Sequence, residues 1–142
     1  MNLTYAPAQP SDVALLFALN KELIDTYEDL ESIDYPRVLS WVRKNLERNL
    51  SHFHRVLLNG ALVGFYCLTE AEGKHELDSL FVLPPHQGNG IGTAIVRKCQ
   101  KEAAPLFLYV FKRNVRAIAL YRRLGFQITR EVGKTRCIME YD

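Results

Sequence analysis

Three glycines at alternate positions, Gly88, Gly90 and Gly92, sit within the run Leu83-Pro84-Pro85-His86-Gln87-Gly88-Asn89-Gly90-Ile91-Gly92-Thr93. The run connects an apolar, strand-like segment ending at Val82 to a helix-like segment from Thr93 to Ala103. Glycine lets a backbone come close to a ligand, and the first turn of a helix carries amide N–H groups with no internal partner. The chemistry that suits this combination is the holding of anionic oxygens, as in a phosphate or pyrophosphate. A Walker loop is excluded, because no lysine precedes Thr93. A dinucleotide fingerprint is also a poor fit, because these glycines are evenly spaced and do not open an early strand-helix-strand unit. A plain surface loop between a strand and a helix is the other reading of the same residues.

The elements around the loop follow from periodicity. Leu3 to Ala6 reads as a strand. Pro10 and Asp12 open a helix whose apolar residues Val13, Leu16, Phe17, Leu19, Leu23 and Ile24 recur at helical spacing. A second helix begins near Pro36, with Val38, Leu39, Val42 and Leu46 facing inward and Arg37, Arg43, Lys44 and Arg48 facing outward. The period then changes to that of strands. Asn59-Gly60 predicts a hairpin between Phe53–Leu58 and Ala61–Leu68, and Gly73 marks a further turn before a strand over Glu76–Val82. Beyond the glycine loop and its helix, Leu106–Phe111 reads as a strand and Asn114 as the cap of a helix closed by Gly125. Phe126–Glu131 and Thr135–Tyr141 form a closing pair. The expected fold class is α/β: one mixed, mostly antiparallel sheet of about seven strands flanked by about four helices, with residues 1–142 forming one domain.

Composition narrows the function. The chain has 142 residues, 48% hydrophobic, enough for a core without metal or disulfide staples. A net charge of +2 is too mild to argue for nucleic acid. No apolar window approaches the ~20 residues of a membrane span, and the first residues do not read as a signal peptide. Cys67, Cys99 and Cys137 are odd in number and widely separated, which fits a reduced, cytoplasmic setting. They read as small core hydrophobes, and His52, His54, His75 and His86 as surface or packing residues. No spacing suggests a metal site.

The longer run Leu80-Phe81-Val82-x-Pro84-x-x-Gln87-Gly88-x-Gly90-Ile91-Gly92 resembles the acetyl-CoA-binding motif of the GNAT superfamily of N-acetyltransferases. A second run, Asn114-x-x-Ala117-x-x-x-Tyr121-x-x-x-Gly125-Phe126, is similar to that family's C-terminal motif, and the two occur in the family's order. The resemblance is specific from Glu76 to Phe126; the first half of the chain matches only in its pattern of elements. It implies an enzyme that moves an acetyl group from acetyl-CoA to a primary amine of a small molecule or peptide by direct attack in a ternary complex. Gln87, Gly88, Asn89, Gly90, Ile91, Gly92 and Thr93 would wrap the pyrophosphate. Leu80, Phe81 and Val82 would pair with the pantetheine arm, and Leu80 or Phe81 would polarise the thioester carbonyl. Asn114 would touch the same arm.

The resemblance further implies that Tyr121 is the general acid at the departing sulfur and Glu76 the base. Asp78 is a rival base, because alternation puts Glu76, Asp78 and Leu80 on one strand face. A water chain without a single base is a third arrangement. Family members are monomers or homodimers, and none of this chemistry requires a metal. Near the expected acceptor entrance, the turn between the first two helices holds Asp25, Glu28, Asp29, Glu31 and Asp34, which would attract a cationic acceptor or simply be a solvated turn. Two other functions stay open: a coenzyme A-binding module without catalysis, and a tRNA-directed, toxin-like acetyltransferase using the basic face of the second helix.

Overall fold

The computed structural model describes all of residues 1–142. Its strands are β1 (Leu3–Pro7), β2 (Phe53–Leu58), β3 (Ala61–Ala71), β4 (Lys74–Val82), β5 (Leu106–Phe111), β6 (Gln127–Val132) and β7 (Arg136–Tyr141). Its helices are α1 (Val13–Tyr27), α2 (Tyr35–Asn49), α3 (Ile91–Ala103) and α4 (Val115–Arg123). The strands form one sheet in the order β1-β2-β3-β4-β5-β7-β6. Every neighbouring pair is antiparallel except β4 and β5. The expected order of elements and the mixed sheet are thus both present.

Local chemistry explains the joints. Asn59 and Gly60 both take positive φ, 52° and 82°, as the hairpin between β2 and β3 requires. Asp34 accepts a hydrogen bond from the Arg37 N–H and opens α2. Asn114 does the same for α4 through the Ala117 N–H. Gly125, at φ 97°, lets the chain leave α4 and bury Phe126. α3 begins at Ile91, two residues before its expected start, because Gly90 in the left-handed conformation already serves as its N-cap.

Each face of the sheet has its own core. Leu77, Leu106, Leu108, Val110, Cys137 and Met139 pack beneath α3 and α4 with Ile91, Ile95, Val96 and Tyr121. Phe53, Phe65 and Cys67 pack on the opposite face against Leu16 and Ile24 of α1 and Val42 and Leu46 of α2. All three cysteines are free and buried.

The strict alternation expected along β4 does not hold. Cys67 pairs with Ser79 while Leu68 pairs with Leu77, so Asp78 is an extra residue in a β-bulge. The bulge shifts the period by one. Leu77 and Leu80 both pack on the α3 side, whereas Phe81 packs on the α1 side. Glu76, next to Leu77, therefore faces the α1 side, and Glu76 and Leu80 do not share a face as plain alternation would have them do.

Candidate active site

The one parallel ladder is short. β4 and β5 pair only at His75–Leu106 and Glu76–Phe107, and then the strands separate. Residues Leu80, Phe81 and Val82 remain paired to β3 through Tyr66, Phe65 and Gly64. Their edge toward β5 has no strand partner, so backbone donors and acceptors there are available to an extended ligand. Close contact between β3 and β4 secures this segment: a Cβ added to Gly64 would lie 2.2 Å from the Phe81 carbonyl oxygen.

The glycine loop follows directly. Gly88 and Gly90 have φ of 81° and 82°, and nothing lies within 4 Å of a Cβ built at either. Inside the chain these glycines answer a conformational demand, and they leave open space above the backbone. The N-terminus of α3 has no side-chain cap, and its first α-helical bond runs from the Ala94 N–H to the Gly90 carbonyl at 3.0 Å. The amides of Ile91, Gly92 and Thr93 thus precede the helical ladder and favour an anion. Gln87 and Asn89 are exposed in the loop. The Gln87 Nε2 donates to the Val82 carbonyl at 2.9 Å, tying the loop to the end of β4, a role its spacing alone did not indicate. These features together fit a pyrophosphate followed by an extended arm: uncapped amides, left-handed glycines without side chains, and a free strand edge.

Two titratable groups flank the gap. Glu76 sits at its start, half-buried, and burial pushes its carboxyl up to about 7. The neighbouring Asp78 charge adds to that rise and the Arg136 guanidinium opposes it. Asp78 is exposed by surface area, yet protein surrounds it closely enough for desolvation to raise its carboxyl too, against a hydrogen bond from the Ser79 hydroxyl at 3.3 Å. The interaction between the two carboxyls raises Glu76 and works against the rise of Asp78.

Tyr121 lies across the sheet in the core under α3 and α4. It is 9% exposed, and its ring centroid is 5.5 Å from that of Phe126. Burial raises its hydroxyl, so the phenol stays protonated and able to donate. The buried Gln100 Nε2 donates to the Leu124 carbonyl at 2.7 Å and joins α3 to the end of α4. Asn114 is half-buried, with its carbonyl oxygen engaged in the cap.

On the α1 side, a cleft of about 580 Å³ opens beside Glu76, with Phe107 and Tyr109 of β5, Ile138 of β7 and Arg130 of β6 along it. Motif reading missed these last four residues. A signal was present in the continuous apolar run Leu106 to Phe111: a strand apolar on both faces has something to cover on each. The acidic turn before α2 is largely occupied with its own structure. Asp25 pairs with Lys21 and accepts from the Tyr35 hydroxyl, Asp29 accepts from the Glu31 N–H, and Asp34 caps α2.

The family model for the acetyltransferase (GNAT) family matches residues 16–126. The chain is 30% identical over 97 residues to a mycothiol acetyltransferase of Nocardiopsis dassonvillei, covering 67% of this chain and 29% of that protein. It is 31% identical over 111 residues to the peptidyl-lysine N-acetyltransferase YjaB of Escherichia coli, covering 78% of this chain and 65% of that protein. The chain therefore spans less than two thirds of the length of either relative. In fold it is similar to the PaiA N-acetyltransferase of Thermoplasma acidophilum solved with coenzyme A, with a TM-score of 0.74 at 19% identity over 100% of this chain and 99% of that one. No helix is long and apolar enough to cross a membrane.

Proposed function

Because the chain belongs to the acetyltransferase (GNAT) family, we propose that it transfers an acetyl group from acetyl-CoA to a primary amine by direct attack within a ternary complex. The observation that carries this reading is the parting of β4 from β5 immediately beyond Glu76, next to an uncapped, glycine-opened helix. The backbone from Gln87 to Thr93 would hold the pyrophosphate, and the free edge of Leu80, Phe81 and Val82 would align the pantetheine arm. Acetyl-CoA supplies the acyl carbon and a thiolate leaving group.

The chain's own groups manage the protons. An ammonium must lose a proton before its nitrogen can attack. Glu76, with a carboxyl near 7, accepts that proton directly or through one water. The new carbon–nitrogen bond forms as the carbon–sulfur bond breaks, and the Tyr121 hydroxyl gives a proton to the departing sulfur. A backbone N–H of Leu80 or Phe81 would steady the carbonyl oxygen as it gains charge. Asn114 would add a contact to the arm beyond its capping role.

A module that only holds coenzyme A would have no use for a carboxyl raised by burial at the mouth of the gap, since that burial costs stability. The tRNA-directed reading rests on Arg37, Arg43, Lys44 and Arg48, which are exposed on α2 and are not among the residues lining the cleft. Free-thiol release from acetyl-CoA with a panel of amines, alongside calorimetry with coenzyme A, tests the proposal. Coenzyme A binding together with amine-dependent thiol release is expected. Binding with no release for any amine would leave the binding module, and no binding would remove the whole reading.

A further inference from the structure

The cleft beside Glu76 is neither uniformly acidic nor simply apolar. Its floor is aromatic and aliphatic: Phe107, Tyr109 and Ile138. Cross-strand pairing orders its charges. Glu76 pairs with Phe107, Tyr109 with Ile138, and Ile138 with Arg130, so these side chains stand on one face in adjacent rows. Arg136, paired with Phe111, belongs to the same face, and its guanidinium lies 5.2 Å from the centre of the Tyr109 ring. Neither Arg130 nor Arg136 forms a close ion pair, although Arg136 acts on the Glu76 charge and Arg130 on that of Glu140, whereas Lys74 and Glu140 in the same cleft pair directly at 2.5 Å. Glu72 lies on the exposed turn at the rim.

Two guanidinium groups outside any close ion pair therefore stand across an apolar floor from the Glu76 carboxyl. Tyr109 is one strand over and two residues along from Glu76. At ~4.8 Å between strands and ~3.3 Å per residue, that backbone step is on the order of 8 Å to the residue whose ring carries the Arg136 guanidinium, while Arg130 starts two strands farther out and lines the cleft through its long side chain. Such an arrangement suits a ligand with a nitrogen at one end, a short apolar body, and an anion at the other. Arginine forks recognise carboxylate and phosphate oxygens in particular.

We propose that the acceptor is a primary amine carrying an anionic group, carboxylate or phosphate, several bonds from the nitrogen, with the nitrogen at Glu76 and the anion at Arg136 and Arg130. The inference rests on the acetyl-transfer reading and adds the class of acceptor. It sets this chain apart from an enzyme for polycations, which would meet the two arginines with like charge.

The test compares kcat/KM for matched acceptors: ε-aminocaproate, its amide, hexylamine, aminohexyl phosphate and spermidine. The expected result is that ε-aminocaproate or aminohexyl phosphate exceeds the amide and hexylamine by about tenfold or more, and spermidine is poorest. Whichever anion is favoured identifies the group. In the Arg130→Gln/Arg136→Gln double variant the ratio of anion to amide falls to about one, with coenzyme A affinity by calorimetry showing that the variant is folded. An amide or spermidine preference in the wild type, or an anion preference that survives in the folded double variant, would overturn the inference while leaving acetyl transfer intact. Absence of transfer to any amine would remove both.

Discussion

Glu76 and Tyr121 stand on opposite faces of the same sheet. Glu76 shares the α1-side cleft with Phe107 and Tyr109, while Tyr121 packs in the core beneath α3 and α4 with Leu77 and Phe126. A continuous sheet would keep them apart. The gap beyond the Glu76–Phe107 rung is where a reacting bond could be reached from both sides. Base and acid would then approach from opposite faces, each set in its own environment.

The first prediction concerns Glu76. Glu76→Gln should lower kcat/KM by roughly 10²-fold or more. Wild-type kcat/KM should rise with pH through about 7 as the carboxyl loses its proton, and this limb should disappear in the variant. Stability should move the other way. The folded carboxyl is raised above its ordinary value, so the folded state binds the extra proton between the two. Stability therefore falls as pH rises through that window to about 7. The variant should be more stable than wild type above pH 7 by roughly 1–3 kcal/mol, allowing for partial exposure, with the difference vanishing at acid pH. Thermal melts across pH check this; a constant difference would mean that the shift is absent.

Removing the phenol tests the other side. Tyr121→Phe keeps the ring against Phe126 and loses only the hydroxyl. Coenzyme A affinity and melting temperature should change little, and kcat should fall by roughly 10²-fold. Single-turnover rates with an activated thioester, whose sulfur leaves without a proton, should be largely restored. An unchanged kcat with acetyl-CoA would take Tyr121 out of catalysis.

Two glycines separate backbone crowding from ligand crowding. Gly64→Ala would force a Cβ to 2.2 Å from the Phe81 carbonyl oxygen, at the back of the free β4 edge. It should cost roughly 3 kcal/mol or more of stability. At Gly92 the nearest atoms to an added Cβ are the Leu120 Cδ2 at 3.7 Å and the Val82 Cγ2 at 3.8 Å, ordinary contacts inside a helix. Gly92→Ala should leave stability unchanged or raise it by up to ~1 kcal/mol. If the pyrophosphate lies on this turn, coenzyme A affinity should nevertheless fall. Urea melts and calorimetry on both variants distinguish the two effects.

Asn114 carries a structural and a proposed binding duty. Asn114→Ala removes the bond to the Ala117 N–H and should cost about 1 kcal/mol. Asn114→Ser preserves a capping oxygen on a shorter side chain. Stability should recover in the serine variant, whereas coenzyme A affinity should stay low in both. Recovery of both properties would confine Asn114 to capping.

Much of the frame is legible from local sequence, because it depends on local forces. Apolar periodicity marks the helices, Asn59-Gly60 dictates the hairpin by its positive φ, and Asn114 and Gly125 bracket α4 by capping chemistry. The glycine loop is legible for the same reason: its positive φ values and the free amides that follow belong to neighbouring residues. Which strands become neighbours, and where their pairing ends, depends on residues far apart in the chain. The bulge at Asp78 leaves the apolar alternation of β4 unremarkable on paper, yet it turns Glu76 and Leu80 to opposite faces. Arg130 lines the same cleft as Glu76, and Arg136 lies over Tyr109 on the same face, only because β7 and β6 are added beyond β5. The rise in the Glu76 carboxyl likewise needs the burial and the Asp78 charge that folding supplies. Residue types and short spacings thus determined the elements and the conformation of the loop. The faces, neighbours and ionisation of the side chains were decided by tertiary structure, since desolvation and cross-strand register exist only once the chain has packed.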